Sequence, residues 1–201
     1  MNKLSTSLKF AAVTTTLSLS AFGVTPAHAV GFSGSYAPAN FTLTNTNSNG
    51  SVNTSGAPNS IVLTGSDNIS GINGALNYFT TAAAAGTFSF DWNYTTLDAA
   101  TFFDPFSVLI NGVATTLTDN SFSTTNQSST YATTVNLGDT IGWQVSTTDN
   151  VGGAPNVTIS NFAAPNASTA VPEPFTIIGT CIGGAAALRM RSKLKSAGER
   201  N

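Results

Sequence analysis

Apolar residues recur at every second position through the middle of this 201-residue chain, and that period of two sets the expected fold. Phe88, Phe90, Trp92 and Tyr94 alternate with Ser89, Asp91 and Asn93. A strand buries one face in this way, because successive side chains point to opposite sides of a sheet. Phe106, Val108 and Ile110 alternate likewise, Asn111-Gly112 offers the two positive-φ positions of a tight hairpin, and residues 113–117 return. Ile141, Trp143 and Val145 form another half-buried strand entered through a turn at Gly138-Asp139, and residues 156–162 make a last one. Further candidates are 41–45, 60–64, 76–80 and 130–136, while 82–85 reads equally as a helical turn or a loop. Short strands joined by Gly, Asn, Asp and Pro turns, with no helical period among them, predict an all-β fold. The expected architecture is an antiparallel β-sandwich of jelly-roll type, flanked by a signal peptide and a C-terminal hydrophobic helix.

The two ends follow other patterns. Lys3 and Lys9 precede an apolar, hydroxyl-rich centre at 10–24, and Ala27-His28-Ala29 has the small-x-small form a signal peptidase requires. Residues 1–29 are therefore expected to leave as a signal peptide, with cleavage after Ala29. Near the other end stand Val171, Pro172, Glu173 and Pro174, then an apolar run at 175–188, then a basic cluster of Arg189, Arg191, Lys193 and Lys195. The prolines fix two φ angles and push the residues before them towards extended backbone, so the tetrapeptide is a stiff, non-helical leader. The run can be helical, with Gly179, Gly183 and Gly184 as a small-residue face. The basic cluster holds its end on the cytoplasmic side.

Proline-Glu-proline, hydrophobic helix and basic terminus in that order resemble the PEP-CTERM sorting signal. The resemblance covers about the last 30 residues. It implies recognition of Pro172, Glu173 and Pro174 by exosortase, a membrane-embedded, transpeptidase-like cysteine enzyme, with the helix at 175–190 and the basic stop behind it. It also implies a cell-surface or extracellular destination reached through a membrane-anchored intermediate, and an association with extracellular polysaccharide. The apolar run is short: 14 to 16 residues at ~1.5 Å each reach about 21 to 24 Å against a hydrocarbon core of ~30 Å. A transient anchor fits that length better than a permanent one. A GPI signal is disfavoured because its tail should end apolar. The expected organisation is thus signal at 1–29, sandwich at 30–165, linker at 166–170 and sorting tail at 171–201.

Charge narrows the function classes. All Lys and Arg residues lie in the two end segments, so the middle carries only Asp67, Asp91, Asp98, Asp104, Asp119, Asp139 and Asp149. Nucleic-acid binding is excluded, since phosphate neutralisation needs Lys or Arg. The lone histidine, His28, falls in the signal and the lone cysteine, Cys181, in the tail helix, where it reads as a small apolar residue. The middle therefore lacks the base and thiol of nucleophilic catalysis, the main ligands of zinc, and any disulfide. No enzyme is expected. An all-carboxylate hydrolase on Asp98 and Asp104 is the distant alternative.

Trp92-Asn93-Tyr94, Asp98, Phe103-Asp104-Pro105-Phe106 and Thr148-Asp149-Asn150-Val151-Gly152 bear a distant resemblance to the CUB domain. Calcium-binding CUB modules bring an acidic residue, an Asp after an aromatic and an Asp from a later loop onto one ion. The resemblance implies Asp98, Asp104 and Asp149 as Ca²⁺ ligands, a donor set this hard cation takes. The plainer reading has Asp98 and Asp104 ending strands and Asp149-Asn150 forming an Asx turn. No cofactor is otherwise required. For a sugar-stacking platform, Phe103 and Tyr131 are better placed than Trp92, Trp143 and Tyr94, which lie on the apolar faces of their strands. The expected function is a non-enzymatic exported surface or matrix protein, with glycan and Ca²⁺ as the ligands its residues suit. Its expected partners are signal peptidase, an exosortase-like enzyme, the membrane and extracellular polysaccharide. The alternative is a membrane-anchored binding module or adhesin that retains its helix.

Overall fold

The computed structural model describes residues 27–120 and 125–166. The sorting motif at Val171, Pro172, Glu173 and Pro174, the helix at 175–190, the basic stop and residues 1–26 of the signal lie outside the described residues. No helix among the described residues is long and apolar enough to cross a membrane.

Eleven strands form among the described residues: β1 (Ala27–Val30), β2 (Thr42–Thr46), β3 (Ser51–Asn53), β4 (Ser60–Thr64), β5 (Gly74–Thr81), β6 (Gly86–Thr95), β7 (Phe106–Ile110), β8 (Val113–Thr116), β9 (Asn126–Val135), β10 (Thr140–Thr147) and β11 (Asn156–Asn166). One sheet has the order β3-β4-β11-β6-β9, with β1 also on β11; the other has the order β2-β5-β10-β7-β8. Neighbouring strands are antiparallel throughout. Strands β4 to β11 make the eight-stranded jelly roll, four to a sheet, and β1, β2 and β3 extend it.

Each strand expected from the period of two is present. The hairpin between β7 and β8 turns on Asn111 and Gly112 at φ of 51° and 79°, the positive pair that matches strand twist. Residues 82–85 form a loop between β5 and β6. The period did not reveal β1 or β3. Strand β3 spans three residues, and β1 falls across the expected signal boundary. There Ala29 faces Ala164 and Val30 faces Ala163 in register, with Ala29 and Ala164 both buried. A cut after Ala29 would leave Val30 alone of this strand.

The core lies between the sheets and is aromatic at its centre. Trp143 of β10 is fully buried, with ring centroids of Phe41, Phe90 and Phe162 at 6.0, 5.4 and 5.8 Å. Phe88, Phe90, Trp92 and Tyr94 all point inward from β6. Large rings suit this position, because few residues then fill the ~10 Å between two sheets.

Candidate functional site

The turns that follow β4, β6 and β10 meet at one end of the sandwich, and Asp98, Asp104 and Asp149 lie there. Asp104 is almost fully buried. Its Oδ2 accepts from the Thr96 hydroxyl at 3.1 Å, and the Thr147 hydroxyl also bonds its carboxyl. Tyr94 Oη donates to its backbone oxygen at 2.8 Å. Burial pushes the carboxyl up to about 7, and the negative charges of Asp98 and Asp149 push in the same direction, against the two hydroxyls. The Tyr94 hydroxyl is raised as well, by burial first and then by Asp104.

Asp98 and Asp149 behave partly as turn formers. Val151 N–H donates to Asp149 Oδ1 at 3.1 Å, the expected Asx turn, and Ala99 N–H donates to Asp98 Oδ1 at 2.7 Å. The other oxygen of Asp98, Oδ2, is buried and has no hydrogen-bond partner. It sits against Gly152, which has a φ of +101° and where any Cβ would come within 2.7 Å of the carboxylate. Asn150 locks the loops together: its Nδ2 donates to Asn47 O and Ile72 O at 3.0 and 2.8 Å, and its own backbone oxygen accepts from Ile69 N. The three carboxylates share this end, yet among the described residues no three His, Cys, Asp or Glu side chains have the spacing to hold a metal ion.

A second site lies on the outer face of the five-stranded sheet. Inward positions of β5 and β10 carry Leu76, Tyr78, Ile141, Trp143 and Val145, so the pleat turns Asn77, Phe79, Gly142 and Gln144 outward. Register then aligns them across strands. One row runs Thr42, Phe79, Gly142, Leu109, Ala114, and the next runs Thr44, Asn77, Gln144, Ser107, Thr116. The first is largely apolar and the second wholly polar and uncharged. Four of their members, Asn77, Phe79, Leu109 and Gln144, join Gly112 and Thr140 in lining an open groove of about 310 Å³. Gln144 Nε2 donates to Asn77 Oδ1 at 2.8 Å, and Asn77 Nδ2 to the Thr44 hydroxyl at 3.4 Å.

Of the aromatic residues singled out from the sequence, Tyr131 departs from expectation: it stands opposite Phe90 across β6 and β9 and so shares the inward face instead of offering an open platform. Trp92, Trp143 and Tyr94 are core residues. Tyr131 packs its ring on Phe88 and Phe90, and Phe103 lies against Phe102. Phe79, Asn77 and Gln144 are not marked out by the sequence pattern. Their signal was an aromatic or amide at an outward position of a strand, and only the register places them side by side.

No known protein family matches the chain, and no curated protein does. Among solved structures the chain is similar to a family 35 carbohydrate-binding module from Clostridium thermocellum, at 15% identity over 70% of this chain and 99% of that one, with a TM-score of 0.36. It is also similar to a carbohydrate-binding module of the β-sandwich superfamily, at 14% identity over 66% and 59% of the two chains, TM-score 0.44. A family 35 module from Paenibacillus barcinonensis is similar at 19% identity over 67% and 98%, TM-score 0.32. At these scores the likeness transfers no ligand and no site to this chain.

Proposed function

We propose that this chain is a non-enzymatic, exported cell-surface protein whose β-sandwich holds polysaccharide on the open face of the five-stranded sheet. The observation that carries the reading is the groove itself, an apolar floor of Phe79 and Leu109 beside the amides of Asn77 and Gln144. A sugar ring presents a C–H face that packs on the first and hydroxyl edges that bond the second. The reading as a binder rather than a hydrolase is supported by Asp104, whose carboxyl is enclosed by Thr96 and Thr147 and does not line the groove. Phe79→Ala is expected to weaken retardation of the exported protein in polysaccharide-containing gels by roughly tenfold, the loss of one packed aromatic surface. Undiminished retardation would remove this face from the reading.

Export and sorting rest on the signal and on the PEP-CTERM-type tail, with signal peptidase and an exosortase-like enzyme as processing partners. Intact-mass measurement on cell-surface and membrane fractions of the native host is expected to show a species starting near Val30 and ending near Pro172. A membrane species ending at Asn201 would replace this with the anchored binding module.

Calcium at the loop end is the second reading, favoured by the buried, unpartnered Oδ2 of Asp98 beside two further carboxylates. Asp98, Asp104 and Asp149 supply oxygen donors of the kind Ca²⁺ takes, but as placed here they do not have the spacing to hold the ion.

A further inference from the structure

We infer that the groove takes an uncharged polysaccharide and turns away anionic polymers, an inference that rests on the glycan-binding reading above. The groove lies over β10, between β5 on one side and β7 with its turn to β8 on the other, the elements that supply its six lining residues.

The profile of the floor is set at its middle. Gly142 stands between Phe79 and Leu109 in the apolar row, and a Cβ there would come within 2.2 Å of Tyr78 O and 2.6 Å of Phe79 Cα. The close approach of β5 and β10 allows no side chain at this point. The result is an open trough over β10, flanked by Phe79 on β5 and Leu109 on β7.

The polar row selects by charge. Its members are amides and hydroxyls, which both donate and accept, as sugar hydroxyls do. The hydrogen bond from Gln144 Nε2 to Asn77 Oδ1 orients both amides, which leaves Gln144 Oε1 as the acceptor for a sugar hydroxyl. A uronate or sulfate needs Arg or Lys to compensate its desolvation, and residues 30–170 contain neither. The charge tied to the rim has the wrong sign. Asn111, beside Gly112 and Thr140 of the lining, donates to Asp139 Oδ1 at 3.0 Å, and hydrogen bonds from Asn136 N–H and from Asn111 hold the Asp139 carboxyl below its ordinary range.

The test is gel retardation of the exported protein by hydroxyethylcellulose and galactomannan, against alginate and polygalacturonate, at low and high salt. Retardation by a neutral polymer, unchanged by salt, with none by either anionic polymer, is expected. Asn77→Ala and Gln144→Ala should each weaken it by roughly tenfold, the worth of about one hydrogen bond, with far-UV melting curves showing the variants folded. Equal or stronger binding to the anionic polymers overturns this inference and leaves glycan binding standing. Neutral-polymer binding that survives both substitutions overturns the assignment to this groove. Silence with every polymer brings down the glycan reading itself, and a stable dimer without retardation assigns the face to a second copy.

Discussion

Replacing Asp104 with Asn is expected to raise the unfolding free energy at pH 8 by about 3 kcal/mol and to leave it nearly unchanged at pH 4. Asp104 ionises at about 7 in the fold against an ordinary 3.8, because burial and then the charges of Asp98 and Asp149 oppose its negative form. The native state therefore holds this proton more tightly than the unfolded chain does. Its contribution is most favourable below the unfolded value, falls as pH rises from about 4 to about 7, and is flat above that. The difference is worth about 4 kcal/mol at most, from which an imperfect amide replacement takes about 1. Urea unfolding of both proteins in EDTA, followed by far-UV circular dichroism, reads this directly. Parallel pH profiles would show that Asp104 carries its charge in the fold without cost. The same comparison with calcium in place of EDTA decides the second reading: calcium should stabilise the original protein and not the Asn variant, and an original protein indifferent to calcium retires the ion.

Trp143→Ala is expected to cost about 4 kcal/mol, close to the whole stability of a marginal domain, whereas Trp143→Phe should cost roughly 1. The indole is fully buried among Phe32, Phe41, Phe88, Phe90 and Phe162, so its removal opens a cavity that both sheets hold apart. Phe refills most of that space and also removes a liability, since Trp143 Nε1 is buried without a hydrogen-bond partner. Thermal melts of both variants by far-UV circular dichroism separate the two terms. If Phe proved as costly as Ala, the indole would be making a contact that the geometry does not show.

The two sites differ in how far the chain betrays them. Asp98, Asp104 and Asp149 stood out because acids are scarce in the middle of the chain and His and Cys are lacking there. They gather at one end, with Asp98 and Asp149 both acting on Asp104, but without the spacing to hold one ion. What distinguishes them was not legible: Asp104 is enclosed under two threonine hydroxyls, Asp149 closes an Asx turn, and Asp98 leaves one oxygen unpaired. Those differences depend on loops distant in sequence that Asn150 ties together. The groove was invisible for a related reason. Asn77 and Gln144 are 67 positions apart.

By itself the sequence determined the fold class, because alternation of apolar and polar residues is a local property, and so is the positive-φ pair of Asn111-Gly112 in its hairpin. It also determined the absence of Lys and Arg from residues 30–170 and the inward faces of Trp92 and Trp143. Which strands are neighbours is settled by packing between distant segments. That choice placed β10 between β5 and β7, set Gly142 between Phe79 and Leu109, and drew Ala27 to Ala29 into a strand on β11. The reason is physical: the side-chain period states which face is buried, while pairing and register follow from closing two sheets over one shared core.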